Sequence, residues 1–290
     1  FGDILNKKKL NNALMKNKPD IIIHMAAQSL VGKSYQDPIN TFNTNCIGTV
    51  NVLDIARKIS NTKLILVTTS DKVYNSKVKK NYNENDELKG NDPYSSSKVC
   101  QDNIVMSYFK SFFNNKKSIL IARSGNILGG GDFADDRIVP DYFKAYNNNN
   151  KLKIRNQHST RPWQHVLDAL NAYLKLIEKF YNKPNKENEV YWNVSSKSKK
   201  NISVMRLINI LNSLSNKSVK ISIIKKKKYD ENKHLNISSN KIKKIIKWSN
   251  KIGIEETLKL TLDWYLKYFR DKKNSNISAV NQIKNFLYSK

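Results

Sequence analysis

Short apolar runs alternate in the first half of the chain with stretches that have helical spacing. Residues 20–27, 63–69 and 118–123 are apolar runs of strand length, which predict buried parallel strands. Between them, residues 39–59 and 94–113 place apolar side chains three to four positions apart, as amphipathic helices do. Strands that alternate with helices predict an α/β fold with a Rossmann-like, doubly wound parallel sheet.

Beyond about residue 125 the alternation is less regular. The pattern predicts strands at 152–155, 190–194 and 219–224, and helices at 165–182, 201–214, 238–247 and 254–270. We therefore expect three regions. They are a partial Rossmann domain at 1–125, a mixed region at 126–270 that completes the sheet and forms a smaller α/β lobe, and a polar tail at 271–290. The tail is expected to fray, with a helix in its last dozen residues as the alternative.

The composition excludes several classes of protein. The chain has 290 residues, 39% of them hydrophobic, so it can bury a core and wholesale disorder is excluded. No apolar run reaches the 18 residues that predict a membrane span. The net charge of +28 comes from 45 lysines and seven arginines that are scattered along the chain. A surface that recognises phosphates is expected to use more arginine, so we expect no nucleic-acid partner and no membrane partner.

The cysteines and histidines also limit the chemistry. Cys46 and Cys100 have no CxxC spacing, which favours free, buried thiols in a reducing cytoplasm. The four histidines lack the spacing of metal ligands, so we expect no metal site. His24 lies inside an apolar run and is expected in the core.

Three predicted strands end in small or polar residues. These ends are AAQS at 26–29, TTSDK at 68–72 and RSGN at 123–126. Because the carboxyl ends of parallel strands meet at one edge of a sheet, the three segments are expected to border one ligand crevice. Each end alone could be a strand that turns into a loop, but three in succession favour a site. Small residues there let a ligand approach the backbone closely.

A tyrosine and a lysine follow the second of these strand ends. Tyr94 and Lys98 stand four residues apart on a predicted helix, so they share one face. An ammonium group lowers the pKa of a nearby phenol, and a phenolate can accept the proton of an alcohol while hydride leaves its carbon. The YxxxK spacing alone occurs often by chance. On the helix that follows TTSDK it indicates redox chemistry at a hydroxyl group.

The order of these motifs resembles that of a known family. The stretches AAQSLVGKSYQDPINTFNTN (26–45), RSGNILGGGDFADDRIVPD (123–141) and RNQHSTRPWQHV (155–166) are similar to the extended short-chain dehydrogenase/reductase family, and within it to the CDP-glucose 4,6-dehydratases. The resemblance covers nearly the whole chain and weakens beyond about residue 196. It implies that NAD takes hydride from C4 of a nucleoside-diphosphate hexose, that water is lost across C5 and C6, and that hydride returns at C6. The implied product is CDP-4-keto-6-deoxyglucose, an intermediate in deoxysugar biosynthesis for lipopolysaccharide O-antigen in the cytoplasm.

The resemblance also implies roles for individual residues. Tyr94 would accept the C4 hydroxyl proton, with Lys98 holding the nicotinamide ribose and Ser70 donating a hydrogen bond to the C4 oxygen. Asp71 and Lys72 would be the acid and base of the elimination, although Lys72 could also be an ordinary solvated lysine. A lysine at this place, where the dTDP-glucose enzymes carry a glutamate, is what favours CDP. The cofactor contacts implied are Asp3, Ile4, Ala26, Ala27, Gln28, Thr68, Tyr94 and Lys98, and the substrate contacts are Asn126, Arg137, Arg161 and His165.

The arginines and glycines between residues 123 and 161 have both functional and structural interpretations. Four of the seven arginines lie between residues 123 and 161, as a diphosphate site that needs planar guanidinium groups would require. Arg123 could be a structural residue at a strand end, and Trp163 could simply pack. The glycines at 129–131 lack the G-x-G-x-x-G spacing and are expected to form a turn, not a phosphate loop.

The resemblance raises a question about the start of the chain. FGDILN is similar to the family segment that follows the third strand, so we expect the first strand and the pyrophosphate-binding glycine loop to lie before residue 1. Family members pair through helices that match 42–59 and 94–113, which predicts a homodimer. An epimerase or decarboxylase of the same family remains an alternative, and so does a non-catalytic, truncated remnant or basic binding protein.

Overall fold

The computed structural model describes residues 2–75, 80–196, 202–224 and 235–288. The α-helices are α1 Lys7–Asn17, α2 Val31–Gln36, α3 Pro38–Phe42, α4 Gly48–Ala56, α5 Pro93–Tyr108, α6 Ile138–Asn147, α7 Val166–Phe180, α8 Val204–Leu214, α9 Asn240–Ile246, α10 Ile254–Arg270 and α11 Lys272–Tyr288. The strands are β1 Ile21–His24, β2 Leu64–Thr68, β3 Asn81–Tyr82, β4 Ser118–Ser124, β5 Ile127–Leu128, β6 Leu152–Ile154, β7 Thr160–Arg161, β8 Gln164–His165, β9 Tyr191–Val194, β10 Ile202–Ser203, β11 Ile221–Ile223 and β12 Asn236–Ile237.

The described residues form two compact units. The first contains the described residues of 1–125, 172–194 and 236–248, and the second contains the described residues of 126–171, 195–235 and 249–288. The last strand and last helices of the first unit therefore come from the chain beyond residue 125.

A parallel sheet organises the first unit. In the described residues its strand order is β1-β2-β4-β9, and every neighbouring pair is parallel. Strand β4 is buried along its whole length, as expected of a central strand with both faces covered. Apolar residues of the sheet pack against α4 and α5, including Val67 on β2 and Phe109 just beyond α5. The Rossmann-like α/β sheet predicted from the sequence is confirmed.

Two predicted helices contain a π-helical turn. The predicted helix at 39–59 consists of α3, a π turn at Asn43–Ile47, and α4. The predicted helix at 94–113 consists of α5 and a π turn at Phe109–Phe113. A π turn inserts one extra residue and redirects the side chains that follow it, and such turns are frequent at functional sites.

Helices and short strand pairs build the second unit around its own core. Strand β6 pairs with β11 in parallel, and β7 pairs with β10 antiparallel. The core consists of buried apolar residues from α6, α8 and α10, among them Phe143, Leu207 and Leu262. Phe143 and Tyr265 stack with ring centroids 3.9 Å apart, which ties α6 to α10.

The C-terminal segment differs from its prediction as a fraying tail. Residues Lys272–Tyr288 form α11, which packs along α10. The Ser278 hydroxyl donates to Asp263 Oδ2 at 2.8 Å, and Gln282 Nε2 donates to the Leu260 carbonyl at 2.9 Å. Phe286, near the end of the helix, is buried, and the Lys251 ammonium lies 5.3 Å from the centroid of its ring. The packing face is largely polar, which is why an apolar pattern did not indicate it. Among the described residues, no helix is both long enough and apolar enough to cross a membrane.

Candidate active site

The end of β2 forms a tight polar turn. The Ser70 hydroxyl donates to Asp71 Oδ1 and accepts from the Lys72 backbone N–H, both at 3.2 Å, so Ser70 caps the 3₁₀ turn Asp71–Val73. The Asp71 side chain is buried, with Asp71 only 1% exposed, and Lys72 is half-buried. The three predicted catalytic residues of this segment are thus held in one short turn.

Glycine at position 125 makes room for the Asp71 carboxylate. A Cβ atom at residue 125 would overlap the carboxylate oxygens of Asp71. The absence of a side chain at the end of β4 therefore lets the ends of β2 and β4 approach closely. The strand-end motifs TTSDK and RSGN, which are far apart in sequence, meet here.

Helix α5 brings Tyr94 and Lys98 to the same end of the sheet. The Asp92 side chain accepts from the Ser95 N–H at 3.0 Å and Pro93 occupies the first helical position, so the helix begins sharply before Tyr94. Tyr94 and Lys98 are both buried, and Lys98 is 2% exposed. Lys98 Nζ lies 3.5 Å from the Thr68 carbonyl oxygen at the end of β2. The structure therefore brings the lysine of the YxxxK pair to the strand end that carries Ser70 and Asp71.

Burial changes the proton affinity of Lys98. Desolvation lowers its pKa to about 8, while the nearby Asp102 carboxylate and Cys46 thiol act in the opposite direction. The ammonium group donates to Gln101 Oε1 at 2.8 Å. Lys98 is therefore a cation that releases its proton more readily than a surface lysine.

Several buried polar residues around this pair were missed by sequence reasoning. Asn45, in the π turn after α3, donates through Nδ2 to the Ser97 hydroxyl at 2.8 Å, and its Oδ1 accepts from the Gln28 N–H at 2.8 Å. Thr49 and Gln101 are also fully buried and hydrogen-bonded to one another at 2.8 Å. The sequence signal that could have indicated these residues is a polar side chain on the otherwise apolar, inward face of a helix.

Of the predicted cofactor contacts that follow β1, two are accessible to a ligand and one has a side chain already hydrogen-bonded within the fold. Ala26 is exposed and Ala27 is half-buried, so their backbone is open to a ligand beyond β1. Gln28 is buried, and its side chain already donates to Thr41 Oγ1 at 2.8 Å and accepts from the Leu30 N–H at 2.7 Å. With a phenol and an ammonium beside small strand-end residues, the donor set suits the hydroxyl groups of a nicotinamide ribose.

The two predicted contacts near the start of the chain lie in the first unit as well. Asp3 is exposed, and its Oδ1 accepts from the Leu5 N–H at 2.8 Å. The Ile4 side chain occupies the space that a side chain at Gly48 would need, and the Ile4 carbonyl accepts from Asn51 Nδ2 at 3.0 Å. These contacts fix the segment 3–5 against α4.

Arg123 has the structural role that the sequence offered as an alternative. Its Nε donates to Asp102 Oδ2 and its Nη1 to the Tyr74 hydroxyl, both at 2.8 Å, and both charged side chains are almost fully buried. Burial alone would lower the pKa of Arg123, but the Asp102 carboxylate raises it above its usual value. Glu84 and Asn193 extend the network, since the Asn193 N–H donates to Glu84 Oε1 at 2.9 Å.

The second unit contains the four predicted substrate contacts. Arg137 forms an ion pair with Asp132 at 2.8 Å and remains partly exposed, whereas Arg161 is buried and donates to the Thr160 carbonyl at 2.9 Å. Asn126 has a left-handed backbone (φ 51°) just before β5. His165 is buried on β8, which is the strand that pairs with β5.

The orientation of the His165 ring follows from its hydrogen bond. Nδ1 accepts from the Leu167 N–H at 3.2 Å, so the proton of the neutral ring is on Nε2. Burial lowers the pKa of His165 to about 4, which keeps the ring neutral. Nε2 has no hydrogen-bond partner among the residues that the structure describes. A buried N–H donor without an acceptor is suited to a polar ligand atom.

Further sequence interpretations can be compared with the structure. Gly130 faces the Trp264 ring, where a side chain would clash, so the glycines at 129–131 form a packed turn as expected. Trp163 packs against the core of the second unit and donates to the Ile202 carbonyl at 3.3 Å. The two cysteines are free, but Cys100 is half-buried and not fully buried as expected. The described residues contain no cluster of three or more potential metal ligands.

Comparison with known proteins identifies the family. Residues 1–261 match the model of the family described as GDP-mannose 4,6 dehydratase. The chain belongs to this family. It is 34% identical over 277 residues to the CDP-glucose 4,6-dehydratase of Salmonella typhimurium, covering 93% of this chain and 77% of that protein. It is 25% identical to the dTDP-D-glucose 4,6-dehydratase of Homo sapiens, with 94% of this chain and 76% of that protein covered.

Solved structures show the same fold at lower identity. A dTDP-glucose 4,6-dehydratase from Streptomyces venezuelae with NAD bound superposes with a TM-score of 0.80 at 19% identity, covering 94% of this chain and 79% of that chain. A UDP-glucose 4-epimerase from Thermotoga maritima gives a TM-score of 0.81 at 19% identity, covering 94% of this chain and 84% of that chain. The predicted resemblance to dehydratases of this fold is confirmed, and the chain is a homologue of lyase-type sugar-nucleotide dehydratases.

Proposed function

We propose that the chain converts CDP-glucose to CDP-4-keto-6-deoxyglucose with NAD as its cofactor. The observation that carries this proposal is the turn of Ser70, Asp71 and Lys72 at the end of β2, next to the lysine of the Tyr94–Lys98 pair. An oxidation alone needs no residues beyond Ser70 and the pair. Two additional ionisable side chains in the same turn support an elimination step, which requires a base and an acid.

NAD would be held by Asp3, Ile4, Ala26, Ala27, Gln28 and Thr68 together with the Tyr94–Lys98 pair. When bound, it supplies the hydride acceptor for the sugar C4 position and the hydride donor for C6. The Lys98 ammonium would hydrogen-bond the nicotinamide ribose, and its positive charge favours the phenolate form of Tyr94. The backbone of Gln28, whose side chain is engaged within the fold, is the part available to the cofactor.

The remaining steps belong to protein side chains. Tyr94 accepts the proton of the C4 hydroxyl, and Ser70 turns its hydroxyl away from Asp71 Oδ1 to donate a hydrogen bond to the C4 oxygen. Lys72 removes the C5 proton, which the adjacent ketone has made acidic, and Asp71 donates a proton to the departing C6 hydroxyl. Asp71 is buried and shielded from water, and the half-buried Lys72 remains accessible to a ligand, which is consistent with this assignment.

The residues predicted to bind the substrate diphosphate belong to the second unit. Arg137 and Arg161 would bind the diphosphate, because guanidinium groups match phosphate oxygens in charge and shape. Asn126, which belongs to the same 123–141 motif as Arg137, would also contact the diphosphate, and the His165 Nε2–H offers a donor to a sugar or phosphate oxygen. The identity to a CDP-glucose enzyme, together with lysine at position 72, favours cytidine as the base.

The working form is proposed to be a cytoplasmic homodimer. Ile39, Phe42, Ile47 and Phe112 are apolar and exposed on the layer formed by α3, α5 and their π turns. A cluster of exposed apolar side chains is typical of an interface. The free thiols of Cys46 and Cys100 are consistent with a reducing compartment.

The test is to incubate the chain, with any segment that precedes Phe1 in its gene, with CDP-glucose and NAD. We expect a 4-keto-6-deoxy product, detected by its near-ultraviolet absorbance in alkali, and much less product from dTDP-glucose. Asp71→Asn and Lys72→Met should stop water loss while hydride is still exchanged at C4. Exchange at C4 without water loss in the unaltered chain would instead indicate an epimerase, and no reaction with any nucleotide hexose would contradict the proposal.

A further inference from the structure

A chain of buried hydrogen bonds connects Lys98 to the first strand of the sheet. Lys98 Nζ contacts Gln101 Oε1 at 2.8 Å, Gln101 Nε2 contacts Thr49 Oγ1 at 2.8 Å, and His24 Nε2 contacts the same Thr49 oxygen at 3.0 Å. All four side chains are buried. They come from β1, α4 and α5, so the chain of bonds runs from the sheet to two of the helices of the first unit.

The direction of every bond in this chain is determined by chemistry. An ammonium group can only donate, so Gln101 must turn its oxygen to Lys98 and its NH₂ to Thr49. The Thr49 hydroxyl donates its proton to the Asn45 carbonyl at 2.7 Å. Thr49 Oγ1 can then only accept from His24, which requires the His24 tautomer with its proton on Nε2.

We propose that His24, Thr49 and Gln101 are positioning residues that hold the Lys98 ammonium in one place, a role that rests on the proposed function of Lys98. None of the three would touch substrate or cofactor. Each fixes the orientation of the next, so that the acceptor facing Lys98 is always an oxygen. A lysine side chain has four flexible torsions, and a buried acceptor of fixed orientation removes that freedom.

The charges around Lys98 are consistent with this role. The titratable groups around it are Tyr94 and Asp102 on its own helix, Cys46 in the π turn and His24 on β1. Burial and the positive charge of Lys98 lower the pKa of His24 to about 4. His24 is therefore neutral at physiological pH and does not repel the ammonium group.

The first experiment determines the His24 tautomer directly. With only four histidines in the chain, ¹⁵N-histidine labelling gives a simple spectrum, and His24→Gln assigns the signal. At neutral pH we expect a proton on Nε2 and none on Nδ1. A proton on Nδ1, or a charged ring, would contradict the proposed direction of the hydrogen bonds. This measurement needs no cofactor.

The second experiment interrupts the chain at its middle. Thr49→Val keeps the shape of the side chain but leaves His24 and Gln101 without their shared oxygen, whereas Thr49→Ser restores it. Thr62→Val is the matched control, because Thr62 is equally buried and its hydroxyl donates to the Pro19 carbonyl at 2.7 Å, away from Lys98. The readout is the pH dependence of equilibrium NADH binding, followed by energy transfer from tryptophan.

The three variants are expected to differ in the pH dependence of NADH binding. In Thr49→Val the alkaline limb of binding should move down by about one pH unit, because Gln101 is no longer held with its oxygen towards the Lys98 ammonium, and the loss of one hydrogen bond to a charged group has about this effect. Thr49→Ser should behave like the unaltered chain. If Thr49→Val and Thr62→Val shift the profile equally, Thr49 has no more than a structural role and the proposal is wrong.

A third measurement links the two ends of the chain of bonds without cofactor. Lys98→Met should raise the pKa of His24, measured from its ¹³Cε1 shift, while Lys110→Met on the exposed surface should leave it unchanged. No change in Lys98→Met would overturn the coupling. If the unaltered chain neither binds NADH nor reacts with CDP-glucose, the proposed function fails, but the tautomer and this coupling still decide the inference.

Discussion

Tyr94 is the residue on which the redox half of the proposed reaction depends. Replacing it with phenylalanine removes the group that accepts the C4 hydroxyl proton while retaining the ring that packs near the start of α5. We expect a loss of about 10²- to 10⁴-fold in product formation, the usual range for removing a general base. Formation of the 4-keto-6-deoxy product from CDP-glucose measures it. Tyr108→Phe, on the same helix, is the control, and an equal loss in both variants would indicate damage to α5 and not to chemistry.

Lys98 also makes the stability of the fold depend on pH. Its pKa is about 8 in the folded chain against an ordinary value of 10.5, so between these values the unfolded state binds more protons than the folded state. The free energy of unfolding contributed by this group therefore rises as the pH increases from about 8 to 10.5. Lys98→Met should remove that rise.

Denaturant unfolding at pH 7 and pH 10 tests the sign of this effect. The gain in the free energy of unfolding from pH 7 to pH 10 should be smaller in Lys98→Met than in the unaltered chain. The exposed control Lys110→Met should show the same gain as the unaltered chain. An unchanged difference in Lys98→Met would mean that Lys98 is not desolvated in the folded state.

At the scale of elements, a buried ion pair fastens α5 to β4. Arg123 on β4 donates to Asp102 on α5, one turn after Lys98, and also to Tyr74 in the segment that follows Lys72. Asp102→Asn would leave a buried guanidinium without its counter-ion, which typically costs about 3–5 kcal/mol. We expect urea unfolding to show a loss in that range.

A double variant separates the charge from the packing. Adding Arg123→Met to Asp102→Asn removes the unpaired charge, so part of the lost stability should return. Strictly additive losses from the two substitutions would show that the residues act independently and that no buried pair fastens the helix to the strand.

The docking of α11 on α10 yields a further prediction at this scale. Phe286 is buried, so Phe286→Ala should lower the free energy of unfolding by about 3 kcal/mol, the lower end for a buried phenylalanine. Ile277 is on the same helix but is 59% exposed, and Ile277→Ala should change stability by less than about 0.5 kcal/mol. Thermal unfolding of both variants would show whether they differ. Equal, small effects would mean that α11 does not pack through Phe286.

The sequence could predict those elements whose signal is local. Strand β4 is an uninterrupted apolar run, and Tyr94 and Lys98 are related by helical spacing alone, so both were predicted from neighbouring residues. Helix α11 was predicted only as the alternative to a fraying tail, and only for its last dozen residues, because it packs through Ser278 and Gln282, which have the composition of an exposed face. The chain from Lys98 to His24 was missed because its partners are 25 and 52 residues apart, and only the folded sheet brings them together.

At the scale of the whole molecule, the net charge of +28 opposes any pairing of two copies. The proposed dimer must therefore depend on its apolar surface, where Ile39 and Ile47 are 74% and 51% exposed. Ile47→Asp places a charge in that surface and should convert the dimer to a monomer, as measured by sedimentation equilibrium. Ile277→Asp, on α11, should leave the dimer intact.

Because salt screens the repulsion between two basic chains, the dimer should also tighten as ionic strength rises. A dimer that weakens in salt, or one that survives Ile47→Asp, would mean that ion pairs or another face of the molecule hold the two copies together.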